Sequence, residues 1–557
     1  MASSTALGTA QADEAARPSP DGLAVRSTEV RAIDGSNNNL YHPDWAATGS
    51  HLLREPSGNH YADGISAMAR PDGPSPRAIS NGVFKQSGPV FSHLGVSDFI
   101  WTFGQFLDHD LDLTEGNGTD GRTDAFIQIP AFDVFFDPFG TGTQTMSFHR
   151  GMFDPNTGTS RANPRAQINE ITGYIDGSNV YGSDPERTAW LRTGENGHLK
   201  VTHTAVGDLA PFNDGTVPNA GTPERPDLSS SLFVAGDIRI NEQATLAVMH
   251  IVFIREHNFQ ADRIASLHRN WTDEQIFQAA RKITIAEIQH TVYDEFLPAL
   301  LGNARGVGPY TGYDPRINAG VSAAFSTAAY RIGHTLLSPQ ILRLQENGQP
   351  QPEGPLMLRN AFFSSAPPLV SAHGIESFLR GVAAQKSQEL DNLVIDDVRN
   401  FLFGLPGAGG LDLISLNFQR GRDMGLADFN TMRADFGLPK ISRFSQITRN
   451  PALQAQLQQL FGNVNNIDPF AGLFAEDHKA GYNVGETLLA VFTDQFNRAR
   501  SGDRFWYERY LSADDVSMVK HTKLSDIIKR VSTFKNVQSN VFFVPGFSQP
   551  DHDPGTH

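Results

Sequence analysis

Phe99–Thr114 reads F-I-W-T-F-G-Q-F-L-D-H-D-L-D-L-T. Large apolar side chains surround Gln105, Asp108, His109, Asp110 and Asp112. The spacing predicts a helix in which Gln105 and His109, four apart, share a face, while Asp108 and Asp110 point elsewhere. Buried carboxylates and imidazoles are costly unless they find partners. The rest of the chain must therefore supply those partners.

Outward from this stretch the sequence reads mainly α. Residues 1–28 are rich in Ala, Ser, Pro and Asp without periodicity, and read as a loose N-terminal arm. Residues 30–90 are dense in Gly, Asn, Pro and Ser and read as irregular loops, and 124–165 as minor strands and turns, with apolar runs at Ala125–Ile129 and Phe132–Phe136. Asn241 is a good N-cap for a helix over Glu242–Ala265 that is buried on all sides. Thr272 with Gln275 resembles a capping box opening a helix to Leu297. Val321–Leu337 reads as another helix, closed by Pro339, and further helices fit 374–384, 393–404, 425–436, 450–462, 485–499 and 512–531. With no repeat and no α/β alternation, the expectation is one large helical domain over 29–545, few short strands, long irregular loops and a tail at 546–557.

Composition removes several function classes. The 557 residues carry a net charge of −16, which repels nucleic acid and anionic membrane surfaces. No apolar run is long enough for a transmembrane helix. The first residues have neither a basic n-region nor a continuous apolar h-region, so a conventional signal peptide is not expected. Zero Cys excludes disulfides, a disulfide-linked dimer, Fe–S clusters and a thiolate haem ligand. Any metal must be held by His, carboxylate and carbonyl groups.

Two further segments place costly side chains in apolar surroundings: G-D-I-R-I-N-E-Q with Arg239 and Glu242, and Y-R-I-G-H-T-L-L with His334. Gly333, Ala328 and Ala329 beside His334 leave room for something bulky and flat. Singly, each has an ordinary reading: a satisfied core His, a helix-end ion pair, an Asp run turning into solvent. Composition and spacing alone carry no more than a weak metal- or haem-site hypothesis.

Together, the segments resemble the animal-type haem peroxidases of the peroxidase–cyclooxygenase superfamily. The resemblance runs in order through R-A-I-D-G-S-N-N-N (Arg31–Asn39), A-I-S-N (Ala78–Asn81), G-Q-F-L-D-H-D-L-D and T-G-Y-I-D-G-S-N-V-Y-G-S (Thr172–Ser183). It continues through A-G-D-I-R-I-N-E-Q, M-H-I-V-F-I-R-E-H-N (Met249–Asn258), Y-R-I-G-H-T-L-L, L-N-F-Q-R-G-R-D (Leu416–Asp423), N-N-I-D (Asn465–Asp468) and G-D-R-F-W-Y-E (Gly502–Glu508).

The resemblance implies a haem b between central helices and an H2O2-dependent peroxidase. His109 would be the acid/base, Arg239 would assist O–O cleavage, and Gln105 would line the distal cavity. His334 would be the proximal iron ligand, oriented by Asn417. Arg331 would pair with a propionate, with Arg420 nearby. Asp108 and Glu242 match carboxylates that form ester bonds to haem in many members. Gln243 stands where some carry a sulfonium-forming Met, so that link is excluded. Asp110, Thr172, Tyr174, Asp176 and Ser178 would bind Ca²⁺.

Three departures stand out: Gln243, Met424 where several members have His, and Asn37 where many animal members have Cys. The missing disulfides suggest a prokaryotic, monomeric member. Export by a non-classical route is the expected localisation, cytoplasmic placement the alternative. Sequons at Asn117 and Asn270 carry no weight. Donors would be halide or thiocyanate by two electrons, or phenols by one. The competing readings are a fatty-acid dioxygenase, whose cyclooxygenase-like members place Tyr where Arg331 stands, and an adhesion or matrix protein with a dormant haem site.

Overall fold

The computed structural model describes residues 29–114, 124–222 and 225–548. The N-terminal arm, the Asn117 sequon and residues 549–557 of the tail lie outside the described residues. The body is mainly α. Its principal helices are α1 (Pro76–Val83), α2 (Phe99–Leu111), α3 (Ala244–Leu267), α4 (Asp273–Thr291), α5 (Ala366–Ala384), α6 (Leu413–Asp423) and α7 (Glu486–Ser501). Strands are minor: among the described residues they form four two-stranded antiparallel pairs, the longest joining β1 (Asp124–Gln128) to β2 (Thr145–His149).

The centre is α3, whose first three turns are wholly buried and which packs on α2, α4 and α5. A helix apolar on every face has nowhere else to go. Behind His109, the Phe106 and Phe253 rings stack at 4.9 Å and lock α2 to α3. Each such ring contributes about 1.5–3 kcal/mol by burial. The start of α2 is fixed by Asp98, whose carboxylate accepts from Ser338 Oγ at 2.8 Å. Its end is clipped by Asn169, which donates to the Leu111 carbonyl at 2.8 Å and accepts from Leu113 N at 2.9 Å.

Several expected elements differ. Helix α3 begins at Ala244, not Glu242, and its N-cap is Gln243, whose side chain accepts from Thr245 N. Asn241 is instead spent on both backbone groups of Phe233. The Thr272 capping box is present, but α4 ends at Thr291 in a π-helical turn, Val292–Phe296. Val321–Leu337 is not continuous: Ala323–Thr327, a 3₁₀ turn Ala329–Ile332 and Gly333–Leu336 are separated at Ala328 (φ −127°, ψ −61°). The stretch 393–404 is helical only over Asp396–Arg399, and 512–531 divides into Ala513–His521 and Leu524–Val531.

Phe132–Phe136 is a turn rather than a strand, because the Asp133 carboxylate takes the N–H groups of Phe135 and Phe136. Within the region read as loops, α1 carries a regular start: Ser75 accepts from Arg77 N, and Pro76 occupies the first turn.

Candidate active site

A cavity of about 560 Å³ opens between α2, the 238–243 turn, the Ala329–Leu337 stretch and α6. It lies in the range of cofactor sites. Trp101, Gly104, Gln105 and Asp108 line it at the helical spacing of one α2 face, joined by His109. Asp108 thus faces the cavity with them rather than pointing elsewhere as expected, and of the two carboxylates flanking His109 only Asp110 turns away. Gln105 Nε2 donates to Glu242 Oε2 at 2.7 Å and its Oε1 accepts from Gln243 Nε2 at 3.2 Å. His109 Nε2 stands 3.5 Å from the same Glu242 oxygen. Its Nδ1 is buried without a hydrogen bond, 3.6 Å from Asp237 Oδ1.

Arg239 enters from the turn ahead of α3. Its Nε and Nη2 donate to the two oxygens of Asp237, both at 2.8 Å, and Nη2 also reaches the Asp112 carbonyl at 3.0 Å. Its Nη1 lies 3.9 Å from Asp108 Oδ2. Burial pushes the Asp237 carboxyl up, but Arg239 and His109 outweigh it and hold the group well below the usual range. Burial likewise works against the Glu242 carboxylate, and the contacts with His109 and Arg239 reverse the sign. Asp108 is raised, chiefly by burial, with Arg331 and Arg239 opposing.

His334 lines the same cavity, on the short helix after the Ala328 break. Burial, then Arg331, push its imidazole down to about 3, so the ring is neutral and able to ligate a metal. Its Nδ1 lies 2.8 Å from Asn417 Nδ2. A ring coordinating through Nε2 carries its proton on Nδ1, so the Asn417 amide then presents Oδ1, half a turn round in the same place. A Cβ added at Gly333 would meet no protein atom within 4 Å. That open space beside the ligand candidate fits a flat macrocycle. Arg331 and Arg420 also line the cavity. Arg331 Nε donates to the Ser326 carbonyl at 3.0 Å, and Arg420 Nη1 to the His149 carbonyl at 3.0 Å. Tyr330 is on the lining too, its hydroxyl donating to the Gly104 carbonyl at 3.2 Å. Met424 is fully buried at the end of α6 and does not line the cavity. Asn37 occupies an exposed left-handed turn (φ 58°), which Asn tolerates.

Asp110 points away from the cavity to the 172–178 loop. It accepts from Ser178 Oγ at 2.7 Å and Gly177 N at 3.0 Å. Gly177 has φ 71°, and a side chain there would press on the Tyr181 ring. Thr172 Oγ1 donates to Asp176 Oδ1 at 2.9 Å, while Asp176 Oδ2 is buried and unpartnered. Burial raises both carboxyls, and Asp176 raises Asp110 further. Two buried carboxylates beside two hydroxyls suit a hard cation. The Tyr174 phenol turns away to the Trp45 carbonyl (2.8 Å), so only its backbone oxygen remains for such a site. Among the described residues no group of three or more His, Cys, Asp or Glu is placed to hold a metal.

Two residues of the site escaped the sequence reading. Asp237 grips Arg239; the D-x-R spacing, which puts both on one side of an extended turn, was the available signal. Asp112 had no assigned partner. Its carbonyl holds Arg239, and its carboxylate accepts from Ser326 Oγ. Burial, with Asp108 adding to it, raises this carboxyl to about 7.

Comparison with known proteins identifies the family and the fold. The animal haem peroxidase family pattern matches residues 30–542. Peroxinectin A of Dictyostelium discoideum is 35% identical over 532 residues, covering 93% of this chain and 96% of that protein. The mouse peroxidasin homolog is 34% identical over 564 residues, and there the chain spans only 38% of the relative. Among solved structures, peroxidase A from Dictyostelium discoideum superposes with a TM-score of 0.83 at 34% identity, covering 93% of this chain and all of that one. A fatty acid alpha-dioxygenase from Oryza sativa reaches 0.75 at 20% identity, covering 92% and 87%, which is a likeness of fold alone. The chain belongs to the animal haem peroxidase family and is a haem-dependent oxidoreductase of the peroxidase class.

Proposed function

We propose that the protein reduces H2O2 at a haem b in the central cavity and oxidises small donors: halide or thiocyanate by two electrons, or phenols by one. The observation that carries this reading is the convergence of His109, Arg239 and the His334–Asn417 pair on one cavity. His334 would hold the iron, with Asn417 orienting its ring. Arg331 and Arg420 would hold the propionates, and Asp108 and Glu242 offer carboxylates for ester links. When bound, the haem would supply a redox-active iron centre that gives two electrons to the O–O bond and then recovers them from the donor.

The chain's own groups manage protons and charge. His109 Nε2 takes a proton from one peroxide oxygen and returns it to the other as the bond breaks. Arg239, held by Asp237, donates N–H to the departing oxygen. With phenols, two electrons and two protons take H2O2 to two waters; with halide or thiocyanate one peroxide oxygen leaves as water and the other on the oxidised ion. Gln105 orders the water or halide beside His109. Asp110, Asp176, the Thr172 and Ser178 hydroxyls and the Tyr174 carbonyl would hold Ca²⁺, next to the residue that moves the proton.

Purified protein should show a Soret band, and His334→Ala should abolish normal haem binding. An unchanged spectrum in that variant would remove His334 as ligand. Steady-state assays with bromide, thiocyanate, a phenol and Mn²⁺, run beside a fatty acid with O2, decide the donor. Turnover of the fatty acid alone would overturn the peroxidase reading.

A further inference from the structure

A second, much smaller hollow of about 20 Å³ lies between the N-terminal margin, α4 and the 505–511 segment, and shares no lining residue with the central cavity. It has room for about one water-sized particle. Arg31, Arg281 and Lys282 all line it, at 6%, 2% and 8% exposure. Each has a buried nitrogen without a hydrogen-bond acceptor: Arg31 Nη1, Arg281 Nε and Lys282 Nζ.

The other contacts of these side chains are already made. Arg31 Nη2 donates to Asp503 Oδ2 at 2.7 Å, and Arg281 Nη1 to the Arg31 carbonyl at 2.7 Å. The Lys282 ammonium sits 3.5 Å from the centre of the Tyr510 ring. Among the described residues no carboxylate forms an ion pair with Arg281 or Lys282. Asp503 is engaged with Arg31 and Glu29 with Arg504. Asp515 and Asp176 spend one oxygen each on Ser512 and Thr172 and keep the other unpartnered, but neither residue lines the hollow. Burial pushes the Lys282 ammonium down to about 7, against the pull of Asp515 and Glu29.

None of the unpartnered buried side-chain atoms on this lining is an acceptor. A water must donate hydrogens as well as accept them. A small spherical anion accepts from every side, and it offsets the charge that burial makes costly. We propose that this hollow binds one small monovalent anion, chloride or bromide, through Arg31 Nη1, Arg281 Nε and Lys282 Nζ. The bound ion ties the N-terminal margin to α4 and the 505–511 segment. It also balances two guanidiniums, Arg31 and Arg281, that act on Asp176 in the neighbouring loop.

The test uses holoenzyme without peroxide. Crystals grown in bromide should give an anomalous peak at the bromine edge within hydrogen-bond reach of the three nitrogens. In solution, replacing gluconate by bromide at constant ionic strength should raise the melting midpoint saturably. Lys282→Met should weaken that response about tenfold, the loss of one charge-assisted hydrogen bond. A water in place of the peak overturns the proposal, and so does a bromide response equal in wild type and variant.

Discussion

Asp237→Asn tests whether the Arg239 guanidinium acts because Asp237 holds it. The two donate–accept pairs at 2.8 Å join side chains that are 10% and 1% exposed, so solvent screens them little. Asparagine keeps one acceptor and turns an amide N–H toward the guanidinium. The change removes a charge-assisted hydrogen bond and leaves Arg239 without its main counter-charge, a loss of about 3–5 kcal/mol of stability. Released from its fork, Arg239 should no longer meet the departing peroxide oxygen, and the second-order rate with H2O2 should fall by about 10²–10³. Stopped-flow rates on haem-replete protein, with thermal denaturation alongside, measure both. If Asp237 works only through Arg239, its substitution should have little further effect in an Arg239→Gln background. A rate within about threefold of wild type, or full additivity with Arg239→Gln, would sink the argument.

Calcium returned to chelator-treated protein should stabilise it, by about 2.7 kcal/mol at a hundredfold excess over Kd. Asp176→Asn should abolish that response, and identical midpoints with and without calcium would remove the ion from this loop. After peroxide treatment, acidic organic solvent should leave haem on the wild type and extract it from a variant lacking both Asp108 and Glu242; complete extraction from wild type denies the ester links. Glu295 is 4% exposed and accepts from Leu524 N at 2.8 Å, and burial raises its carboxyl from 4.5 to about 7. The folded state keeps a proton that the unfolded chain releases, so this stabilisation is complete below the unfolded pKa and is lost as pH rises through about 7. Glu295→Gln should therefore gain on wild type by up to about 3 kcal/mol between acid and mildly alkaline pH. A pH-independent difference would refute it.

The legible parts of the fold were those where one physical signal dominates. Helix α2 announced itself by its apolar spacing, α3 by an unbroken buried run, and α4 by the Thr272 box. The Val321–Leu337 stretch misled because Ala-rich composition favours helix, while Tyr330, Arg331 and His334 each answer to a different neighbour and force the break at Ala328. Resemblance brought His109, Arg239 and His334 into one site; periodicity could not, since they come from three elements far apart in sequence. Asp112 stayed unread because its partner Ser326, 214 residues away, is fixed by tertiary approach, whereas Asp237 stood in plain local pattern, two residues from the Arg239 it grips.

The same separation has a kinetic meaning. The contacts that shape the cavity join Asp112 to Ser326, Asp98 to Ser338, Gln105 to Glu242 and His334 to Asn417, spanning 214, 240, 137 and 83 residues. Loops of that length close late, after local helices have formed. The pocket is thus among the last features to appear during folding, and a chain that has captured its cofactor has, by that fact, finished assembling its core.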